Sequence, residues 1–446
     1  MPLKNGSLSP DYTTQLPTYS RLEIAKRIAD DGDLLVIYKN KIYRLNNWIK
    51  YHPGGETAIL HMVGKDATDE MNAYHSHETL RKKLPLFYFG SVAKEEGEFQ
   101  SLVPPIQLST ANSGTIKSLE PKTYPALNLH DQHRIIQAYR RLDSKLRFLG
   151  FYQCNYWDYG YECIRYIATA LIVFLLLYSG TKTWHYCLSA LFLGVFWHQV
   201  TFTAHDAGHL AITHNYYIDS TAGMLIANLL GEHDPDIQHL PFFAVSTRFL
   251  DSLYSTYYKR ILTCNQLTTC ILQVQHLAYY VVLCFGRFNL HAQSYIYLYK
   301  YPRSPFRKCE ILGIIIYWCG YTATMPLHVL FTLAHFGMST DDYGPLESFP
   351  AKVLRTTMDV ACPAWMDPVH GGLQFQIAHH LFPRMPRHQL RHVSPYVKNF
   401  CDEVGLTYNI YGYIASNGKV LGVLKDVAIH VKLMKKVMNE ERQKIH

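Results

Sequence analysis

Two histidine pairs at helical spacing are the residues of this sequence best suited to chemistry. In HDAGH, His205 and His209 stand four apart, so a helix carries both imidazoles on one face and aims them at one metal ion. In GGLQFQIAHHLFPRMPRH, Gln376, His379 and His380 share a face by steps of three and four. MPLHVLFTLAHF places His328 and His335 seven apart, two turns along one face. Imidazole-rich sites with few carboxylates suit iron, zinc or copper rather than magnesium or calcium, and spacing alone does not name the metal. A stray histidine is usually structural. Clusters at the ends of apolar segments are another matter, because polar groups at membrane depth are costly and usually functional.

A different histidine chemistry is written near the N-terminus. His52 precedes a sharp Pro53, Gly54, Gly55 turn in NNWIKYHPGGETAIL, and His75 follows in NAYHSHETL. Two neutral imidazoles approaching iron from opposite sides leave no open position, which suits electron transfer rather than oxygen binding. His61 and His77 are the nearest competitors.

The elements that must position these residues fall into two kinds. The chain has 446 residues, 48% hydrophobic and 17% charged, more than one ordinary soluble domain needs. Its 34 Tyr and 21 Phe suit surfaces that meet both lipid and water. A mean hydropathy of −0.08 predicts a mosaic of aqueous and membrane parts. Apolar segments run over 164–179, 184–204, 268–285 and 311–336. Each approaches the roughly 20 apolar residues a span needs, although Gln273, Gln275 and His276 in the third also suit an interfacial position. Short apolar runs and polar turns between Tyr19 and Val92 predict a separate small unit. The stretch KEEGEFQSLVPPIQLSTANSGTIKSLEPKTYP then reads as a tether.

The termini and cysteines add less. MPLKNGSLSPDYTTQLP has no apolar core of the kind a cleaved signal needs, so the N-terminus is expected in the cytosol. Ten scattered cysteines with no CxxC pair predict reduced thiols. The net charge of +8 is carried partly by a C-terminal segment whose Val420, Leu424, Val427, Val431, Met434 and Met438 fall on one helical face. That face suits either the protein's own core or an anionic lipid surface. No nucleic-acid partner is expected.

Taken together, HPGG, GKDAT, YHS and FYFGSV resemble the cytochrome b5 family over about seventy residues. The resemblance implies haem b held by His52 and His75. HDAGH with a distal QIAHH, fused to such a unit, resembles the front-end desaturases. EHDPDIQHLPFF and MSTDDYGPLESFPAKVLRTTMDV are most similar to the fungal sphingolipid delta-8 group. The implied fold is an α+β cytochrome b5-like haem domain followed by an all-α multi-span membrane desaturase domain. Expected boundaries are an N-terminal tail at 1–18, the haem domain at 19–93, a linker at 94–130 and the membrane domain at 131–446. The resemblance also implies two irons that use dioxygen to desaturate a ceramide or acyl lipid. Electrons would come from a cytochrome b5 reductase-type donor through the haem. The place implied is the endoplasmic reticulum membrane, with the haem domain and histidine boxes facing the cytosol.

Two departures stand out. The resemblance implies a second box of HxxHH type just before EHDPDIQH, yet MLIANLLG runs straight into that segment. Likewise 311–336 is long enough for one span where the resemblance implies two. The implied ligands are therefore His205, His209, His335, Gln376, His379 and His380, enough for one iron and thin for two, with His214, His233 and His239 as substitutes. A front-end fatty-acyl desaturase of delta-5 or delta-6 type, a related lipid hydroxylase and a catalytically impaired haem protein are the alternatives.

Overall fold

The computed structural model describes residues 17–93, 129–230, 243–250, 253–255, 260–262, 265–284, 299, 325–341, 343–344 and 347–445. His233, His239, the tether as far as residue 128 and most of the fourth apolar segment lie outside the described residues. The chain divides into two compact units, Met1–Lys117 and Ser118–His446.

The first unit is a small α+β fold. Its elements are β1 (Thr18–Tyr19), α1 (Arg21–Asp30), β2 (Leu35–Tyr38), β3 (Lys41–Arg44), α2 (Glu56–Leu60), α3 (Thr68–Tyr74), α4 (His77–Lys83) and β4 (Tyr88–Val92). The sheet order is β1-β4-β3-β2, with β1 and β4 parallel and the other pairings antiparallel. Lys39 and Asn40 both take positive φ, which lets a two-residue turn join β2 to β3 without splaying them. Every residue of β2 is buried, so the LVIY run is the core of this unit. Ser20 starts α1 with a reciprocal capping box to Glu23.

The second unit is mainly helical. It comprises α5 (Leu129–Phe148), α6 (Tyr156–Ser179), α7 (Thr183–Gly208), α8 (Tyr216–Leu230), β5 (Leu253–Ser255), β6 (Arg260–Leu262), α9 (Gln266–Leu272) and α10 (Gln275–Cys284). It continues with α11 (Met325–Phe336), α12 (Phe349–Thr356), β7 (Asp359–Ala361), α13 (Asp367–His370), α14 (Gln376–Leu381), α15 (Arg387–Val404), β8 (Ile410–Gly412) and α16 (Tyr413–Ile445). Two short two-stranded ladders, β5-β6 and β7-β8, punctuate the helices.

Among the described residues two helices are long and apolar enough to cross a membrane, Tyr156–Ser179 and Trp184–Gly208. Only 11% of the most apolar window of α6 is buried inside the protein, and Leu171, Phe174, Leu175 and Leu177 face outward. Outward-facing leucine and phenylalanine along a continuously hydrogen-bonded helix suit hydrocarbon, where a helix satisfies its own backbone. The third apolar segment is not one continuous helix: it breaks between α9 and α10. There the buried Gln275 side chain accepts from Ala244 N and donates to the carbonyls of Ala244 and Leu424. A glutamine that bridges backbone groups in this way ties the segment to α16. On α16, Val420, Leu424, Val427 and Val431 are buried, so the face packs on the protein's own core that far, whereas Met434 is exposed.

Candidate functional site

In the first unit the chain after β3 closes a short turn at Ile49–Tyr51 and delivers His52. The Nδ1–H of His52 donates to the Gly55 carbonyl at 3.0 Å, which leaves Nε2 as the lone-pair nitrogen. His75 ends α3, and its Nδ1–H donates to the Met71 carbonyl at 3.2 Å, with the same consequence. Backbone carbonyls holding the second nitrogen are the usual means of orienting a metal-bound histidine. The two ring centroids lie 6.0 Å apart. Two imidazoles that close, each with Nε2 left as the lone-pair nitrogen, would fit a haem iron held between them. Gly54 is required for closeness, since a Cβ there would meet Cε1 of His52 at 3.0 Å. Gly55 is required for conformation, at φ 81°.

In the second unit α7 carries HDAGH at its C-terminal end. His205, His209 and His379 present ligand atoms that all lie within 4.8 Å of one another. Their ring centroids are 4.6 to 4.7 Å apart. Burial, then the neighbouring imidazoles of His205 and His209, hold the His379 ring well below the usual histidine range, so it is neutral and able to ligate. His335 at the end of α11 meets His380 instead, Nε2 to Nε2 at 3.3 Å. Gln376 opens α14 and is buried. The five expected histidines thus come together from three separate helices, in two sets divided between neighbouring residues of α14.

Of the substitutes, His214 is committed elsewhere. Its Nδ1 contacts the Leu210 carbonyl at 2.7 Å and its Nε2 the Tyr152 carbonyl at 2.8 Å, so neither nitrogen is presented to a metal. His328 has no described side chain.

The supports of this site were less legible in the sequence. α14 is fixed at its start by Asp359, whose Oδ1 accepts from Ile377 N at 2.8 Å, and at its end by Tyr139, whose hydroxyl donates to the Leu381 carbonyl at 2.9 Å. Asp206, inside HDAGH, accepts at Oδ2 from Arg387 Nη1 at 2.5 Å and from the Tyr159 hydroxyl at 2.5 Å. Arg387 also donates to Glu162 and to the Phe202 carbonyl, and His388 Nε2 meets Glu162 at 3.1 Å. The available signal was a carboxylate, Glu162, beside an apolar segment, where an ionisable group needs a partner.

Comparison with known proteins gives the family of each part of the chain. Residues 20–93 match the Cytochrome b5-like Heme/Steroid binding domain family, and residues 182–412 match the Fatty acid desaturase family. The chain is 37% identical to a Delta 8-(E)-sphingolipid desaturase of Emericella nidulans, over 93% of this chain and 95% of that protein. It is 37% identical to one of Komagataella phaffii, over 93% and 94%. A Delta(8)-fatty-acid desaturase 2 of Arabidopsis thaliana is 30% identical over 93% and 94%. This chain therefore belongs to the fatty acid desaturase family and carries a cytochrome b5-like domain at its N-terminal side. The first match implies haem and the second implies iron. The Emericella alignment runs over 527 positions, more than the 446 residues present here, so that relative contains residues with no counterpart in this chain.

Proposed function

We propose that this protein desaturates the long-chain base of sphingolipids at the delta-8 position, drawing electrons through its own haem domain. The observation that carries the reading is the convergence of HDAGH with QIAHH: three imidazoles from α7 and α14 bring their ligand atoms within 4.8 Å of one another. Support comes from the relatives of Emericella nidulans and Komagataella phaffii, which match nearly the whole chain and are named Delta 8-(E)-sphingolipid desaturases.

In this reading His52 and His75 hold haem b, and His205, His209, His335, Gln376, His379 and His380 hold non-haem iron. Bound there, the iron would let dioxygen act as the oxidant that takes two hydrogens from an unactivated chain, with two further electrons arriving through the haem so that the oxygen leaves as water. The protein's own part is positional. The clamp of Arg387 on Asp206 and Glu162 keeps the end of α7 in register with α15. The apolar flanks of α6 and α7 keep the acyl portion of a ceramide out of water. A tether spanning 94–130 lets the haem domain, 19–93, reach the membrane domain, 131–446, at high effective concentration. A cytochrome b5 reductase-type protein is the electron donor. The endoplasmic reticulum membrane is the site of action, with haem and histidines on the cytosolic side.

The test is expression in a host lacking delta-8 bases, followed by mass spectrometry of the long-chain bases. A new double bond at C8 is expected, lost in His52→Ala and in His205→Ala. A double bond only in acyl chains, a hydroxyl, or no product beside a full haem spectrum overturns the reading.

A further inference from the structure

A second set of buried polar side chains lies where α7 meets the chain leading into α14. His198, Phe202, His205 and His209 follow one another along one face of α7 by steps of four, three and four. His198 therefore stands two turns, about 10 Å along the axis, before His205. His370 ends α13, and Gln374 sits in the short turn ahead of α14. The Nε2–H of His198 donates to the Val369 carbonyl at 2.7 Å, which brings the two elements together. Phe202 packs edge-on against His198 at 5.0 Å and fills the space that a Cβ on Gly371 would need.

All three polar side chains are more than nine-tenths buried, with exposures of 7% for His198, 2% for His370 and 1% for Gln374. Four of their polar atoms have no hydrogen-bond partner among the described residues: Nδ1 of His198, both ring nitrogens of His370 and Oε1 of Gln374. Buried polar atoms in native proteins nearly always have partners, so orphans concentrated at one place mark room for a ligand or a water. The chemistry they offer is lopsided. His198 gives its N–H to Val369 and Gln374 gives an N–H to Asp367, so each presents an acceptor. Burial, then the neighbouring His198, holds the His370 ring below the usual histidine range, so it is neutral, with one donor and one acceptor. Asp367 is engaged by Arg391 as well as by Gln374. The orphan atoms thus amount to three acceptors and one donor, without charge.

Resting on the desaturase reading above, we propose that His198, His370 and Gln374 form a subsite for the uncharged polar end of the lipid substrate, the hydroxyls and amide N–H of a ceramide. Hydroxyl and amide N–H groups are donors and meet the surplus of acceptors. A phosphate or carboxylate would find one donor only and bring a buried charge with no partner. Because His198 lies on the same face of α7 as His205 and His209, the subsite holds the polar end a fixed length of alkyl chain from the histidine cluster. That length decides which carbons lose hydrogen.

The experiment uses the full-length, haem-loaded protein in phosphatidylcholine nanodiscs with no electron donor, so that binding is read without turnover. A ceramide carrying a photoactivatable diazirine in its acyl chain labels the protein. Unlabelled ceramide, and analogues lacking one or the other hydroxyl of the long-chain base, compete for the labelling. In the wild type at least one analogue is expected to compete about tenfold less well than ceramide, because buried acceptors are left unmet. His370→Phe and His198→Leu should bind ceramide more weakly and respond alike to all three competitors. Unchanged far-ultraviolet circular dichroism and haem spectra separate loss of the contact from misfolding, and a misfolded variant is replaced by His370→Leu or His198→Met. Equal competition by all three lipids in the wild type, the result if an ordered water alone fills the site, overturns the proposal. Discrimination that survives both substitutions does the same. Either result leaves the delta-8 reading, judged by its product, standing. Failure of ceramide to compete at all overturns both.

Discussion

Arg387 and Asp206 form a buried ion pair, Nη1 to Oδ2 at 2.5 Å, that joins the first histidine motif to the helix after the last one. Burial alone would lower the arginine's pKa, but the carboxylates of Asp206 and Glu162 raise it, so the guanidinium stays charged. Removing one partner of a buried pair leaves an uncompensated charge and costs about 3–5 kcal/mol. Arg387→Met is expected to lose stability on that scale in thermal unfolding. Arg387→Lys should lose less, since it keeps the charge but not the fork that reaches two carboxylates. Equal melting of wild type and Arg387→Met would show that the pair is not a clamp.

The haem unit gives a sharper test at a glycine. Gly54→Ala places a methyl against Cε1 of His52 at 3.0 Å, so the ring must shift by a few tenths of an ångström. Weaker haem retention with the folded sheet intact is the expected result, read from the Soret band after dilution. His52→Ala and His75→Ala should each abolish the low-spin spectrum outright.

Asp359 makes stability depend on pH. Burial pushes its carboxyl up to about 7, despite hydrogen bonds from Tyr408 and Ile377 N that favour the charged form. A carboxyl whose pKa is raised by folding contributes stability that is fully present below its unfolded value, about 4, and is lost as pH rises toward 7. Unfolding measured from pH 4.5 to 7.5 on the order of the window just given should therefore show Asp359 lowering stability with rising pH. Asp359→Asn should flatten that slope; an unchanged slope refutes the assignment.

Gly371 ends α13 in the left-handed region, at φ 57°, and a Cβ there would run into the ring of Phe202 on α7. Gly371→Ala is thus expected to push the QIAHH segment away from α7. Binding of added cobalt(II) by His205, His209 and His379 should weaken together with thermal stability, whereas Gly405→Ala, at φ 73° with open space around it, should affect stability alone.

Much of this was readable from residue order, and the reasons are local. HDAGH and QIAHH carry their geometry in their spacing, since residues three and four apart on a helix must share a face. HPGG carries its own turn. The same locality explains what spacing left open. That His379 joins His205 while His380 joins His335 depends on how α14 is rotated, and this is set by Asp359 and Tyr139, distant in sequence. The break between α9 and α10 was marked by Gln273 and Gln275, but whether such residues meet a headgroup or a backbone depends on packing. In the structure Gln275 binds the chain itself.

The six residues of α14 act as an axle rather than a platform. Successive residues on a helix point about 100° apart, and here two of them serve different partners while both ends are held. Any turn of the axle that advances His379 withdraws His380. The two sets are therefore coupled through this helix, and a substitution that rotates it to re-aim one is expected to re-aim the other.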